Sequence, residues 1–449
     1  MNRLINLPAK LRKNLRLEHF YFYSAITFLI VKMALILSRD SQRSFATFDT
    51  TGYLKLSELF PSSYASTIDP YLLELSLLRT PGYPIFLWIF HGNPIYIAIA
   101  QSVIQILIAY MAVLIYRKIQ INSSRTYERA TFILVNLETS LTVHSFFLLS
   151  EVLFSLFVIC FVYFFLKYLQ NESKIISKAF VFASIAVIAI ITIRPIGIIF
   201  LAYFPLAALF SKKWLKVGLL LLVMLSWIGF WSSYNHSRAG IFVYSTIQNH
   251  NLLMYEGAGA KAIDTSRPLY EVQRQELGLR NETLRNTSDI NSIDSYSQSR
   301  GIELIANHAK GFLEMHIIGI LKILFGPNQG EAIRFLSNGE RTKAETNAEK
   351  ILLLGMVILT FLIGLFGLLS ASTTLFSNSA LGEISRLILL FLVASGGAQA
   401  YGRFRAPLAA FLVISSIIFL AKILENRSKF NSNPNRFRRK FKDAFGVFK

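Results

Sequence analysis

Tyr96-Ile-Ala-Ile-Ala-Gln-Ser-Val-Ile-Gln-Ile-Leu-Ile-Ala-Tyr-Met-Ala-Val-Leu-Ile-Tyr116 contains no Asp, Glu, Lys or Arg. At a rise of about 1.5 Å per residue such a helix is roughly 30 Å long, the thickness of a bilayer's hydrocarbon core. Several other stretches match it. Hydropathy predicts ten membrane-spanning helices, at about 19–37, 96–116, 130–148, 152–168, 179–194, 196–210, 215–232, 351–370, 387–402 and 406–422. The chain of 449 residues is 53% hydrophobic. That excludes a soluble globular enzyme, and it excludes disorder, whose signature is low hydrophobicity. A single cysteine, Cys160, excludes a disulfide framework.

The formal charge of +20 could suggest nucleic acid, but its distribution points to a membrane. Lys10, Arg12, Lys13 and Arg16 precede the first span, and no small-residue cleavage site follows Leu37. This reads as an uncleaved signal-anchor with a cytoplasmic N-terminus. An even number of spans places both termini in the cytoplasm. The inside segments then hold 25 Lys+Arg against 6 Asp+Glu, and the outside segments 20 against 19. This is the positive-inside asymmetry of an inner (cytoplasmic) membrane protein. It accounts for the charge without nucleic acid. Arg436, Arg438, Arg439, Lys440 and Lys442 would lie against anionic membrane lipids. The stretch 311–326 is only about 24 Å long as a helix and carries Glu314, His316 and Lys322. As a span it would throw the basic tail outside, so an interfacial helix is expected there.

The predicted fold is thus an all-α polytopic membrane protein with two long extracytoplasmic loops bearing interfacial helices. Residues 1–422 form the transmembrane domain. Loops 38–94 and 233–350 lie outside, and 423–449 is a basic cytoplasmic tail. The cytoplasmic loops are too short for a nucleotide-binding domain. Neither G-x-x-x-x-G-K-[ST] nor G-x-G-x-x-G occurs, which argues against an ATP-driven pump. The chemistry is expected on the outer face.

The first outer loop reads Phe48-Asp49-Thr-Thr-Gly-Tyr53. Asp49 would sit close to the membrane surface. It suits an N-cap, and equally a general base or a cation ligand. Leu78-Arg79-Thr-Pro-Gly-Tyr83-Pro84 follows. Its prolines and glycine fix a bend. Arg79 suits a phosphate through its fork of donors, and equally a lipid headgroup by snorkelling. Ser150-Glu151, Arg194-Pro195 and Gly402-Arg403-Phe404-Arg405-Ala-Pro407 fall at the outer ends of helices. Glu138 and His144 fall inside the predicted third span, where charge is costly and marks function by default. The loop charges alone place Asp49, Arg79, Glu151, Arg194, Arg403 and Arg405 on one side. Carboxylates with several arginines at the mouth of a bundle suit an anionic, lipid-borne substrate. No Cys/His set has metal-ligand spacing, and no G-x-S-x-G elbow occurs.

These motifs, in this order and at these positions, resemble the GT-C class of integral-membrane glycosyltransferases. The resemblance is to the bacterial branch related to protein O-mannosyltransferases (family 39-like) and the lipid A aminoarabinose transferase. It covers residues 19 to about 422 and is carried by Asp49–Tyr53, Arg79–Pro84, Leu148-Leu-Ser-Glu151, Arg194-Pro195 and Gly402–Pro407. It implies a polyprenyl-phosphate sugar donor and transfer at the outer leaflet with inversion. The acceptor would be a lipid, a glycan or a protein, with 233–350 as its region. Catalysis would fall to Asp49 as base and to Glu151. Tyr53, Arg79, Tyr83, Arg194, Arg403 and Arg405 would bind substrate. The resemblance implies no organic cofactor and leaves a divalent cation open. Phe404 stands where many relatives carry tyrosine, which removes a hydroxyl contact. Glu138 and His144 match no family position. A flippase of lipid-linked saccharide would also account for ten spans, although no internal repeat or matched pair of broken helices is evident. A glycan polymerase or ligase would present a similar site.

Overall fold

The computed structural model describes residues 9–39, 42–64, 70–120, 124–171, 174–284 and 289–432. The expected lipid-facing arginines and lysines at 436–442 lie outside them. Among the described residues the regular structure is entirely helical.

The chain opens with α1 (Ala9–Leu37). The first loop folds into α2 (Thr50–Glu58), α3 (Pro70–Leu78) and α4 (Gly82–Ile89). Six helices follow: α5 (Pro94–Ile119), α6 (Arg125–Leu137), α7 (Thr139–His144), α8 (Glu151–Gln170), α9 (Lys178–Ile193) and α10 (Phe200–Ser211). After α11 (Trp214–Ala239) the second long loop holds α12 (Ile247–Asn251), a π-helical turn at Leu252–Gly257, α13 (Ala258–Asp264), α14 (Leu269–Thr283), α15 (Ile290–Asn307), α16 (Ala309–Phe325) and α17 (Gln329–Leu336). The chain closes with α18 (Asn347–Thr374), α19 (Ala380–Ser395), a 3-10 turn at Gly402–Arg405, and α20 (Ala406–Ser432).

Among the described residues six helices are long and apolar enough to cross a bilayer: those within α1, α5, α8, α11, α18 and α20. The other four expected spans are shorter or broken. The expected 130–148 helix stops at Leu137 because Glu138 leaves helical geometry, with φ −59° and ψ 126°, and accepts a bond from Leu141 N at the start of α7. The expected 196–210 helix begins as a 3-10 turn at Pro195–Ile199, where proline removes a donor. The expected 387–402 helix is displaced to Ala380–Ser395, and Gly396 and Gly397 follow it. Lys178–Ile193 has 16 residues, about 24 Å of helix.

Burial sorts the helices. The first half of α20 is enclosed on every side, with Leu408, Ala409, Phe411, Leu412, Val413 and Ile414 at 0% exposure. A helix apolar all round belongs at the centre of a bundle, and α20 packs on α18, α8, α6, α19 and α5. In contrast α18 exposes Ile351, Leu354, Ile358 and Phe361, an apolar face suited to lipid. Small residues let the backbones close up. A Cβ at Gly364 would stand 2.5 Å from Leu324 O on α16, and one at Gly367 would stand 2.8 Å from the Leu412 side chain on α20. The expected interfacial helix is α16, which packs on α13 and α18 and exposes Leu313, Ile317 and Leu321.

Candidate active site

Four helix boundaries converge. Asp49 precedes α2, Glu151 opens α8, Arg194 closes the antiparallel neighbour α9, and Arg403 lies in the turn before α20. The α8 and α9 helices pack side by side, and the ion pair from Arg194 at the end of α9 to Glu151 at the start of α8 shows that they run in opposite directions. The first loop is tied down at this end. Leu148 N donates to Phe45 O at 2.9 Å, and Thr50 Oγ1 donates to Leu148 O at 3.3 Å.

Asp49 occupies an N-cap position but makes no side-chain cap. Its oxygens accept from two arginines instead: Oδ1 from Arg79 at 2.9 Å and Oδ2 from Arg403 at 2.6 Å. The Glu151 Oε1 atom accepts from Arg194 at 2.6 Å and stands 3.7 Å from Arg403 Nε. The result is an alternating row, Arg79–Asp49–Arg403–Glu151–Arg194. Three guanidinium groups and two carboxylates leave one positive charge. Burial works to raise the Asp49 pKa, but Arg403 and Arg79 outweigh it and hold the carboxyl well below the usual carboxylate range.

Aromatic rings support the row. Arg79 stacks 4.2 Å from the centre of the Tyr53 ring, and Arg194 lies over Phe154 and Phe404 at 5.9 and 5.8 Å. The Tyr53 hydroxyl meets Ser150 Oγ at 3.3 Å. Gly82 explains the tightness of the Arg79–Pro84 bend: a Cβ there would stand 2.7 Å from Thr192 O, two residues before Arg194.

A cleft of about 300 Å³ opens beside this row. Asp49, Tyr53, Arg79, Glu151, Arg194 and Arg403 all line it. Two expected substrate-binding residues do not. Tyr83 is fully buried beneath Tyr53, ring centres 4.9 Å apart, and its hydroxyl donates to Gln101 Oε1 at 3.1 Å. Arg405 turns into the core, where it pairs with Glu138, both at 0% exposure, and donates to Leu324 O at 3.0 Å. The reason is local geometry. In a turn of three residues per revolution, Arg403 and Arg405 point about 120° apart, so one reaches the cleft and the other the interior. Arg405 is thereby the buried partner that the Glu138 carboxylate requires.

The second long loop adds residues that sequence reasoning missed. Gln248, His250 and Asn251 on α12, with Tyr255 from the π-helical turn, also line the cleft, and Gln399 joins them. Burial first, then the charges of Arg280 and Arg79, push the His250 imidazole below its ordinary pKa, toward the neutral form. This wall presents amide, imidazole and phenol groups without formal charge. The polar run Gln248-Asn-His-Asn251 between apolar neighbours was its one signal. Phe48, 98% exposed, also lines the cleft beside Asp49. Among the described residues no three His, Cys, Asp or Glu side chains gather into a group able to hold a metal ion.

No family model and no curated protein matches the chain. Solved structures do. The oligosaccharyltransferase AglB from Archaeoglobus fulgidus, in complex with an inhibitory peptide and a dolichol-phosphate, overlays with a TM-score of 0.45 at 12% identity, over 95% of this chain and 54% of that one. ArnT from Cupriavidus metallidurans, bound to undecaprenyl phosphate, overlays with a TM-score of 0.36 at 14% identity, over 88% of this chain and 77% of that one. The chain spans about half the length of the archaeal protein.

Proposed function

We propose that this protein is a membrane glycosyltransferase. It moves a sugar from a polyprenyl-phosphate carrier to a hydroxyl of a lipid, glycan or protein acceptor, at the extracytoplasmic face of the inner membrane. The observation that carries the reading is the alternating arginine–carboxylate row along the cleft. Its single surplus positive charge matches the single negative charge of a phosphodiester. The donor's hydrocarbon tail cannot leave the bilayer, so its enzyme must hold its catalytic groups at the end of a helix bundle.

The row also supplies a mechanism. Clamped by two guanidinium groups, Asp49 is a weak base. A donor phosphate competes for Arg79, Arg403 and Arg194 and draws them off the carboxylates. Asp49 then becomes basic enough to take the proton of the acceptor hydroxyl. That oxygen bonds to the anomeric carbon from the face opposite the phosphate, the carbon–oxygen bond to phosphate breaks, and configuration inverts. The leaving phosphate gains a second negative charge. Arginines that hold the dianion better than the diester favour the transition state over the ground state. The neutral wall of Gln248, Asn251 and Gln399 suits sugar hydroxyls. In this reading loops 38–94 and 233–350 face outward and the tail 423–449 faces the cytoplasm.

Purified protein with a polyprenyl-phosphate sugar, followed by lipid mass spectrometry, tests it. Consumption of the lipid by wild type and none by Asp49→Asn supports the reading. Movement of the lipid across a vesicle membrane without consumption would replace it with a flippase.

A further inference from the structure

Glu151 of the arginine–carboxylate row and the buried His144 each have a side-chain atom that no hydrogen-bond partner satisfies. Glu151 is 2% exposed. Its Oε1 serves Arg194 and faces Arg403, while its Oε2 has no hydrogen-bond partner. His144, at the end of α7, is fully buried. Its Nδ1 lies 2.7 Å from Ser140 O. A carbonyl only accepts, so Nδ1 carries the hydrogen and Nε2 is left with a bare lone pair. That Nε2 is without a partner too. His144 and Glu151 act on each other electrostatically. Orphaned buried polar atoms are costly and call for an explanation.

The surroundings narrow it. Glu331 of α17 and Arg403 also act on His144. Arg405 and Glu138 neutralise each other. Lys32 of α1 donates to Ser145 Oγ at 2.6 Å, one residue on. The α5 helix brings the amides of Gln101 and Gln105, α18 brings the hydroxyl of Thr360, and α20 carries no charge from Ala406 to Ala421. While Arg194 and Arg403 hold Glu151, a buried imidazole here is best neutral. A phosphate that draws those arginines away leaves Glu151 as a buried, unmatched carboxylate, which is strongly unfavourable. A proton on Nε2 gives that carboxylate a cationic neighbour in place of the arginines it has lost.

We propose that His144 is a positioning residue of the phosphate site: it takes up a proton from bulk water when an anionic phosphate draws Arg194 and Arg403 off Glu151, and it then holds that carboxylate in place. The inference rests on the phosphate reading above. Phosphate binding is thereby coupled to proton uptake, so affinity falls as pH rises.

The test uses the full-length protein in detergent and a probe without a titratable proton, the diester farnesyl methyl phosphate. Calorimetric titration in two buffers of different ionisation enthalpy reads the protons taken up. Wild type at pH 7.5 is expected to take up close to one proton. Its Kd is expected to rise by up to about tenfold per pH unit on the alkaline side. His144→Gln is expected to bind without uptake and with a flat pH profile. His250, which lines the cleft, stays in that variant as the control. Binding by wild type without uptake overturns the role of His144 and needs no variant. Uptake retained in His144→Gln also overturns it, and assigns the proton to another group of the cleft, Asp49, Glu151 or His250. If wild type does not bind the diester at all, the phosphate reading fails and this inference with it.

Discussion

Arg403 donates to Asp49 Oδ2 at 2.6 Å, across 354 residues of chain. The contact joins the loop after the first helix to the turn before the last, and it makes the cleft a joint product of both ends of the chain. Arg403 also faces Glu151, so it bridges both carboxylates.

Removal of this bridge should cost more in turnover than in folding. Arg403→Ala is expected to lower kcat/KM for the polyprenyl-phosphate donor by about 10²–10³, or about 2.7–4 kcal/mol, as for loss of an oxyanion donor. Steady-state kinetics with donor and acceptor varied separately checks this. An unchanged donor dependence would remove Arg403 from the phosphate site.

Asp49→Asn is expected to fold, to be inactive, and to bind a polyprenyl phosphate several-fold more tightly than wild type. The substitution frees Arg79 and Arg403 from their carboxylate, so the phosphate no longer competes for them. Binding and turnover measured on one preparation separate this from misfolding, which would weaken both. The pH behaviour has a definite sign. The folded-state pKa of Asp49 is depressed, so its ion pairs contribute stability above the ordinary carboxylate pKa and lose it only as pH falls below that range. Thermal unfolding between about pH 5 and 7 should therefore show no step from this group.

Arg405 and Glu138 should behave as a structural pair. Arg405→Met strands a buried carboxylate and is expected to cost about 3–5 kcal/mol of stability. The double change Arg405→Met with Glu138→Leu should recover much of that loss. Thermal denaturation of both variants reads the difference. A single variant as stable as wild type would show that the pair is not needed for folding, and a changed donor KM in the double variant would return Arg405 to the site.

Asn281 is exposed near the end of α14. With the second long loop outside, a cysteine placed there should react with a membrane-impermeant thiol reagent in intact cells. Protection in intact cells and labelling only after lysis would invert the topology. The native Cys160 is half-buried in α8, and its substitution keeps the background low.

Much of the site was legible because its residues fall at helix ends, where the hydropathy pattern stops and a charge stands out. Asp49, Arg79, Glu151, Arg194 and Arg403 each sit at such a boundary. The wall of Gln248, His250, Asn251 and Tyr255 was not legible in the same way. It lies in a loop of short helices with no apolar period to mark a face, and its side chains are neutral. The interruption at Glu138 was hidden for a related reason. Hydropathy averaged over 130–148 is high enough for a span, and the break depends on a carboxylate whose partner lies 267 residues away.

The sequence by itself determined that the chain is helical and apolar on the scale of a bilayer, because helical rise and hydrocarbon thickness depend on local composition alone. It also determined which polar residues stand at helix ends. Only the tertiary structure decided which of them meet. Arg403 and Arg405 share one motif, yet the 3-10 turn sends one to the cleft and the other to Glu138. That choice depends on the phase of a short turn against the bundle, and phase is set by packing between distant helices.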